Sequence, residues 1–105
     1  MKKYYVYILQ CSDNSYYTGV TNNIDRRITE HNNSMDKTSY TYSRRPVKLI
    51  YKETFQNPND AITWEKRIKG WSRKKKEALI KGDFEELKKL SNNKNESGHT
   101  SRSSV

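Results

Sequence analysis

The sequence predicts an α+β fold in which a small three-stranded antiparallel sheet is flanked by helices, in the order β-β-α-β-α-α. Two short tyrosine-rich runs with alternating side chains are separated by a polar turn, and a third alternating run follows later. Helical periodicity fills the sequence between and after these runs. The chain has 105 residues, which allows one domain with a modest core.

The first two strands form a predicted hairpin. Residues 4–11 (YYVYILQC) place bulky side chains on both faces of a strand, and residues 16–20 return beside them. The SDNS turn between them favours a chain reversal, because these side chains hydrogen-bond their own backbone. Gly19 weakens the second strand unless something must approach its backbone closely, and a ligand cleft would be one reason.

A short helix is predicted after the hairpin. Asn22 and Asn23 are suitable N-cap residues. Ile24 and Ile28 lie one turn apart and form its apolar stripe. We therefore expect this stripe to pack on the sheet.

Two adjacent arginines on this helix are predicted to face different ways. Arg26 falls opposite the apolar stripe, where Glu30 lies at the spacing of an ordinary i,i+4 ion pair. Arg27 and His31 fall on or beside the stripe. A buried arginine needs an anionic partner. The spacing offers Arg27 no local partner, so we expect a remote partner or a ligand.

Residues 32–45 are polar and indicate a long loop. Aromatic and basic side chains are interleaved in it, namely Lys37, Tyr40, Tyr42, Arg44 and Arg45. Such side chains can stack on bases and contact phosphates, which makes Arg44 and Arg45 candidate nucleic-acid-binding residues. The alternative is that this segment covers the edge of the hairpin, and the sequence does not decide between the two.

The third strand is predicted over residues 47–55 (VKLIYKETF), with Leu49 and Tyr51 on the same face because they are two residues apart. Asn59 is the expected N-cap of the following helix. That helix should run to residue 69 and end before Gly70.

Glu65 lies at the border of the apolar stripe of this second helix. The stripe consists of Ala61, Trp64, Ile68 and Trp71. The position of Glu65 resembles that of Arg27 on the first helix, so a role at a shared site is one interpretation. A salt bridge to Lys69 at i,i+4, with a value of a few tenths of a kcal/mol, is the simpler alternative.

Two further helices are predicted. Ser72 can cap a helix over residues 73–81, and residues 83–90 form a short last helix. We therefore expect one domain over residues 1–82, followed by that short helix. Residues 91–105 lack apolar side chains apart from the last residue, and we expect a disordered tail.

Positive charge dominates the chain. The net charge is +9, which favours polyanions such as nucleic acid or an anionic membrane surface. The densest segment, residues 66–81, carries eight basic residues against one acidic residue. Its candidate phosphate contacts are Lys66, Lys69, Arg73 and Lys74. A solvated helix face is the ordinary alternative.

Several classes of protein are excluded by composition. The single cysteine, Cys11, excludes an intrachain disulfide and a cysteine-based structural zinc site. A membrane-surface adaptor is a weaker alternative, because no predicted helix has a clean apolar face. No segment reaches transmembrane length either, so we expect no membrane partner and a cytoplasmic location. The oligomeric state is left open.

Two short motifs carry a resemblance to a known family. Tyr5-Val6-Tyr7 and Tyr17-Thr18-Gly19 lie in the two hairpin strands, with an arginine on the next helix and a glutamate on the second. Over about residues 3–80, this order resembles the GIY-YIG nuclease domain of group I intron homing endonucleases, certain restriction enzymes and the nuclease subunit of bacterial excision repair. The chain is most similar to the small stand-alone bacterial branch of UPF0213-like proteins.

The resemblance implies the GIY-YIG fold and a set of catalytic residues: Tyr7, Tyr17, Arg27, His31 and Glu65. Two positions depart from the family pattern. The first signature begins with Tyr5 instead of glycine, and Val20 stands where some relatives have a lysine that could assist the reaction.

The resemblance also implies a reaction, the hydrolysis of a phosphodiester by in-line attack of water. It implies a nucleic-acid substrate, with DNA favoured over RNA and the choice left open, and a role in repair or recombination. Glu65 would hold a single Mg²⁺ or Mn²⁺ ion, since carboxylate oxygens suit both ions. Arg27 would neutralise the developing charge, because a guanidinium matches phosphate oxygens.

The general base implied by the resemblance is Tyr17, with Tyr7 and His31 as helpers. Because the phenol of an ordinary tyrosine ionises only near a pH of about 10, we expect an alkaline pH optimum. Tyr7 has an alternative role as a core residue, and His31 as a cap at the end of its helix. A protein that keeps the fold and binds nucleic acid, but cleaves little or not at all, is the alternative function.

Overall fold

The computed structural model of the protein describes residues 2–33 and 36–91. Its strands are β1 (Tyr4–Gln10), β2 (Tyr16–Thr21) and β3 (Lys48–Phe55). Its α-helices are α1 (Ile24–Asn33), α2 (Pro58–Lys69), α3 (Arg73–Lys81) and α4 (Phe84–Ser91). The predicted α+β class and the predicted order are confirmed, and α4 is the short last helix.

The described chain divides into two compact units after Glu65, within α2. The first unit contains the sheet, α1 and the first part of α2. The second contains the end of α2 together with α3 and α4. No helix among the described residues is long and apolar enough to cross a membrane.

Strand β1 is the centre of the sheet, which has the order β2-β1-β3 with both pairs antiparallel. Its central position explains why four consecutive side chains are buried, namely Val6, Tyr7, Ile8 and Leu9. Tyr7 lies opposite Gly19 on β2 and opposite Lys52 on β3. The predicted turn is stabilised by Asp13, whose carboxylate accepts hydrogen bonds from the backbone N–H (3.0 Å) and the hydroxyl (2.6 Å) of Ser15.

A β-bulge interrupts the alternation of β3. Ile8 pairs with Tyr51, but its neighbour Leu9 pairs with Leu49, so Ile50 is an extra residue between them. Because paired residues share a face, Leu49 and Tyr51 lie on opposite faces of the sheet. The prediction that they share one face is therefore wrong, since an inserted residue shifts the two-residue period.

Helix α1 packs on the face of the sheet that carries Tyr7. The buried cluster there consists of Tyr7, Leu9, Cys11 and Val47, with the partly buried Tyr17, Ile24, Ile28 and Leu49 against it. Ile24 and Ile28 are the predicted stripe. The helix begins after Asn23, whose Oδ1 accepts a hydrogen bond from the Arg26 N–H at 3.0 Å, which confirms Asn23 as the N-cap.

Helix α2 begins earlier than predicted. Asn57 Oδ1 accepts a hydrogen bond from the Asn59 N–H at 2.8 Å, and the Asn57 carbonyl accepts the bond from Ala61 N–H. The expected cap at Asn59 is therefore wrong, because Asn57 precedes Pro58, and proline is well suited to the first helical position.

The second unit has well-defined helix ends. Ser72 accepts a hydrogen bond from the Lys75 N–H at 3.2 Å and caps α3 as predicted. Gly82 ends that helix with a φ of 74°, a conformation that suits glycine. Helix α4 ends at Ser91, so the first residue of the predicted tail belongs to this helix. The rest of the predicted tail, residues 92–105, lies outside the described residues.

Candidate active site

The hydroxyl of Tyr7 is the centre of a polar cluster on the covered face of the sheet. Tyr7 is only 1% exposed. Its hydroxyl accepts a hydrogen bond from Arg27 Nε at 3.4 Å and lies 3.1 Å from His31 Nε2. Burial raises the pKa of Tyr7, the Arg27 hydrogen bond opposes this, and the charges of Tyr17 and Glu65 raise the pKa further. Tyr7 is therefore a protonated phenol at neutral pH.

The protons of this cluster can be assigned from the hydrogen-bond network. Arg27 Nε can only donate. Among the described residues, the Tyr7 proton then has one acceptor, His31 Nε2. His31 Nδ1 consequently carries the ring proton and donates it to Thr41 Oγ1 at 2.9 Å. Burial and the charge of Arg27 lower the pKa of His31, which favours this neutral ring.

Gly19 makes room for the Tyr7 hydroxyl. A Cβ atom built on Gly19 would clash with the end of the Tyr7 side chain. The two residues are paired across β1 and β2, so neither strand can move away without breaking the ladder. The predicted close approach at Gly19 is present, but it comes from a side chain of the site rather than from a ligand cleft.

Tyr17 forms the aromatic side of the cluster. Its ring meets His31 edge to face with centroids 5.0 Å apart, and its centroid lies 6.4 Å from that of Tyr7. Tyr40 stacks on Tyr17, with ring centroids 5.9 Å apart. Arg44 lies over the Tyr40 ring, 4.1 Å from its centroid. An aromatic stack therefore leads from Tyr17 outward to the exposed Tyr40.

Arg27 has a local partner that its spacing did not indicate. Its Nη1 donates to Glu30 Oε1 at 3.1 Å, while Arg26 also lies within ion-pair distance of Glu30, at 3.7 Å. The prediction that nothing local would pair with Arg27 is wrong, since its side chain is 41% exposed and reaches round to the i+3 carboxylate. The Tyr7 hydrogen bond raises the pKa of Arg27, so the guanidinium stays charged.

Glu65 is the candidate metal ligand. It lies on α2 and is 8% exposed, the only buried acidic side chain among residues 2–33 and 36–91. Its charge acts on Tyr7, which places it within electrostatic reach of the cluster. The part of the chain that the structure describes has no group of three metal-ligating side chains. A hard carboxylate oxygen fits Mg²⁺ or Mn²⁺, but as a single protein ligand.

The two arginines of the loop have internal partners. Arg44 Nε pairs with Asp13 Oδ2 at 3.1 Å, and Arg44 Nη1 donates to the Tyr40 carbonyl at 2.7 Å. Arg45 donates to the carbonyls of Tyr42 (2.9 Å) and Asn32 (3.1 Å). These bonds hold the loop against the hairpin turn and the end of α1, so covering the hairpin is part of their role.

The predicted basic contacts of the second unit are exposed, namely Lys66, Lys69, Arg73 and Lys74. Arg73 Nε also pairs with Glu77 Oε2 on the same helix at 3.1 Å. Burial and the neighbouring charges of Arg73 and Lys69 lower the pKa of Lys76. This helix surface is therefore strongly positive within the second unit.

Sequence reasoning missed Thr41. It is 0% exposed, accepts the His31 ring proton and lies 3.2 Å from the Ser39 hydroxyl. Nothing in a polar loop distinguishes one threonine from its neighbours. A buried position inside such a loop becomes visible only when the loop is folded over helix α1.

Comparisons with a family model and with individual proteins indicate the same family. The GIY-YIG catalytic domain matches residues 3–78 of the chain. A UPF0213 protein of Desulfotalea psychrophila is 50% identical over 78 residues, covering 74% of this chain and 71% of that protein. A UPF0213 protein of Syntrophus aciditrophicus is 46% identical over 87 residues, covering 83% of this chain and 100% of that protein.

Two solved structures are similar as well. The solution NMR structure of the protein EF2693 from E. faecalis has a TM-score of 0.57 and 38% identity, covering 80% of this chain and 88% of that one. The solution NMR structure of the UPF0213 protein BH0048 from Bacillus halodurans has a TM-score of 0.51 and 41% identity, covering 87% and 99%.

The family is one of nucleases, which act on nucleic acid and generally use divalent metal ions. The match covers both hairpin signatures and extends to α3. The chain therefore belongs to the GIY-YIG family, among its UPF0213 proteins.

Proposed function

We propose that the protein is a divalent-metal-dependent nuclease that hydrolyses DNA phosphodiester bonds in repair or recombination, in the cytoplasm. The observation that carries the proposal is the Tyr7 hydroxyl held between Arg27 and His31, with Tyr17 beside them. The phenol holds the guanidinium and the imidazole in fixed positions, which supports a role in positioning a substrate.

Arg27 is the proposed phosphate-binding residue. Tyr7 and Glu30 fix its Nε and Nη1, and its Nη2 has no hydrogen-bond partner among the described residues. A guanidinium held in this way presents a preorganised positive charge at the point where negative charge develops. Lysine cannot reproduce the two-sided anchoring, so Arg27→Lys should lose most of the activity.

Tyr17 is the proposed general base, because its ring packs against His31 and Tyr7 at the centre of the polar cluster. Tyr7 stays protonated because its pKa is raised, and neutral His31 lies against the Tyr17 ring. Single-turnover rates should therefore rise from neutral toward alkaline pH. A flat rate profile between about pH 6 and 9 would remove Tyr17 from this role.

Glu65 is the proposed ligand of the divalent ion. A bound ion of this kind supplies charge neutralisation at the leaving oxygen. Because Glu65 is the one buried carboxylate in the described part of the chain, the affinity for metal without substrate should be poor. The concentration of Mg²⁺ or Mn²⁺ needed for half-maximal cleavage should be roughly millimolar rather than micromolar, as is typical of weak carboxylate sites.

The test uses the full-length protein on labelled single-stranded, duplex and branched DNA and on RNA, with Mg²⁺, Mn²⁺ or EDTA. Wild type is compared with Glu65→Gln, and with Glu85→Gln as a matched control, since Glu85 is exposed on α4. We expect cleavage with metal only, loss of cleavage in Glu65→Gln with binding retained, and normal cleavage in the control. Cleavage that is equal in all three proteins would contradict the proposal.

A nucleic-acid-binding protein with little or no cleavage is the second candidate. It is favoured by the absence of a three-ligand metal group among the described residues. In that case every substrate would be bound but none cut, and Glu65→Gln would bind as wild type does.

A further inference from the structure

A basic cleft lies at the start of β1 and has no role in the candidate active site. It is an open depression of about 310 Å³ lined by Lys2, Lys3, Tyr5 and Asn22. Lys52 adjoins it, with its Nζ 5.6 Å from the centroid of the Tyr5 ring. The cleft therefore combines cationic side chains with one partly buried aromatic ring.

The sheet register places this cleft beside the candidate active site. Tyr5 and Tyr7 alternate on β1 and so share a face, and Lys52 on β3 is paired directly with Tyr7. Two residues along a strand span roughly 7 Å, the scale on which phosphates repeat along an extended polynucleotide.

Helix α1 gives the same placement. Asn22 directly precedes the N-cap of α1, and its Oδ1 accepts a hydrogen bond from Arg26 Nη2 at 3.4 Å. Arg27 is the next residue of the helix and lies on the face that packs toward Tyr7, because its Nε donates to the Tyr7 hydroxyl. The cleft thus lies at the first turn of the helix that carries the proposed phosphate-binding arginine.

The lysines of the cleft are available for a ligand. Lys2, Lys3 and Lys52 are exposed, and none of them has a salt bridge with an acidic side chain in the described part of the chain. Glu53, next to Lys52 in sequence, pairs with Val6 and so belongs to the opposite face of the sheet. Three like charges around one cleft, none of them in a salt bridge among the described residues, attract an anion.

We propose that this cleft binds a backbone phosphate of the substrate strand, next to the phosphate held at Arg27, with the nucleoside against the Tyr5 ring. The inference rests on the proposed function. Lysine ammonium groups act as point charges on phosphate oxygens, and an aromatic ring accepts any base or sugar by stacking. The subsite therefore fixes the position of the strand without reading its sequence.

The test measures binding of a labelled DNA duplex to the full-length protein in EDTA, as a function of salt concentration. The triple variant Lys2→Ala/Lys3→Ala/Lys52→Ala should reduce the slope of log Kd against log salt by about 0.9, the value for one phosphate bound on duplex DNA. Lys48→Ala/Lys88→Ala/Lys89→Ala removes three exposed lysines outside the cleft, is the charge-matched control, and should change the slope less. An unchanged slope in the triple variant overturns the proposal.

A combination with Arg27→Ala tests whether the two phosphates are distinct. If the cleft and Arg27 hold different phosphates, the combined variant should lower the slope by about 1.8, and if they share one phosphate it should lower the slope by about 0.9, which overturns the proposal. A failure of the proposed function can be told apart from a failure of this inference. It would appear as a lack of cleavage with metal, whereas the salt dependence of binding in EDTA could still be measured.

Discussion

The hydroxyl of Tyr7 shows how a single core residue can also organise a site. Its ring belongs to the buried cluster under α1, and its oxygen accepts the Arg27 hydrogen bond. The core interpretation and the site interpretation of Tyr7 are therefore compatible. Gly19 completes the arrangement, because any larger residue would meet the Tyr7 hydroxyl. Residue 19 on β2 is thus restricted to glycine by the hydroxyl of Tyr7, its partner on β1.

Thr41→Val should weaken the site, because it removes the hydroxyl that pairs with His31 and with Ser39. Valine is isosteric with threonine but cannot accept the His31 Nδ1 proton, so a buried donor is left without its partner at a cost of about 1–3 kcal/mol. The ring then gains by moving its proton to Nε2, which removes the acceptor of Tyr7. Nitrogen-15 NMR of His31 should show the Nδ1–H form in wild type and a shifted tautomer in the variant.

Thr41→Ser is the control for this substitution, because it retains the hydroxyl. It should restore the tautomer and most of the cleavage rate. A purely structural role of Thr41 would instead lower stability in the valine variant without changing the tautomer.

His31 should make the protein sensitive to mild acid. Burial lowers its pKa in the folded state, so the unfolded chain binds more protons and stability rises with pH. The stability that neutral His31 contributes above the unfolded-state pKa of about 6.5 should be lost as pH falls through the lower pKa of the folded state. Asp13 and Asp36 also have lowered pKa values, but both carboxylates titrate below the ordinary aspartate value of 3.8.

Urea unfolding at pH 8 and pH 5 measures this effect. The decrease in unfolding free energy between the two pH values should be smaller in His31→Gln than in wild type. Equal decreases in both proteins would mean that His31 is not the group that takes up the proton.

At the scale of elements, periodicity and caps predicted the first part of the fold well. The polar turn, the Ile24 and Ile28 stripe and the Asn23 cap are signals contained within a few neighbouring residues. The bulge at Ile50 was not predictable, because it depends on the pairing of β3 with β1 rather than on β3 itself. Thr41 was missed for the same reason, since its burial requires the loop to be folded over α1.

The start of α2 gives a prediction at this scale, because two asparagines compete for the cap. Asn57→Ala should destabilise the protein by about 1 kcal/mol, since its Oδ1 satisfies a backbone N–H at the helix start. Asn59→Ala is the matched control at the position that the sequence favoured, and it should leave stability unchanged or slightly higher, because alanine has the higher helix propensity. Thermal or urea unfolding compares the two. A larger loss of stability in Asn59→Ala than in Asn57→Ala would mean that Asn59 is the cap.

For the whole molecule, charge predicts the class of partner better than it predicts which side chains bind it. A net charge of +9 indicates a polyanion, and the family match indicates nucleic acid. The predicted contacts Arg44 and Arg45 are largely engaged in bonds that hold the loop. The three lysines at the basic cleft have no salt bridge among the described residues, yet the sequence did not mark them as contacts: Lys2, Lys3 and Lys52. Charge density along a sequence does not reveal which cations are paired after folding.

The basic surface of the second unit should contribute to affinity but not to the chemical step. Replacing Lys66, Lys69, Arg73 and Lys74 with alanine removes exposed cations, so the slope of log Kd against log salt should fall by about 0.9 for every duplex phosphate that is no longer bound. Single-turnover cleavage at saturating protein should keep its wild-type rate, because Tyr7, Arg27 and Glu65 all belong to the first unit. The control replaces Lys81, Lys88 and Lys89, which are also exposed in the second unit, and should change the slope less. A reduced rate at saturation in the first variant would instead mean that this surface positions the scissile phosphate.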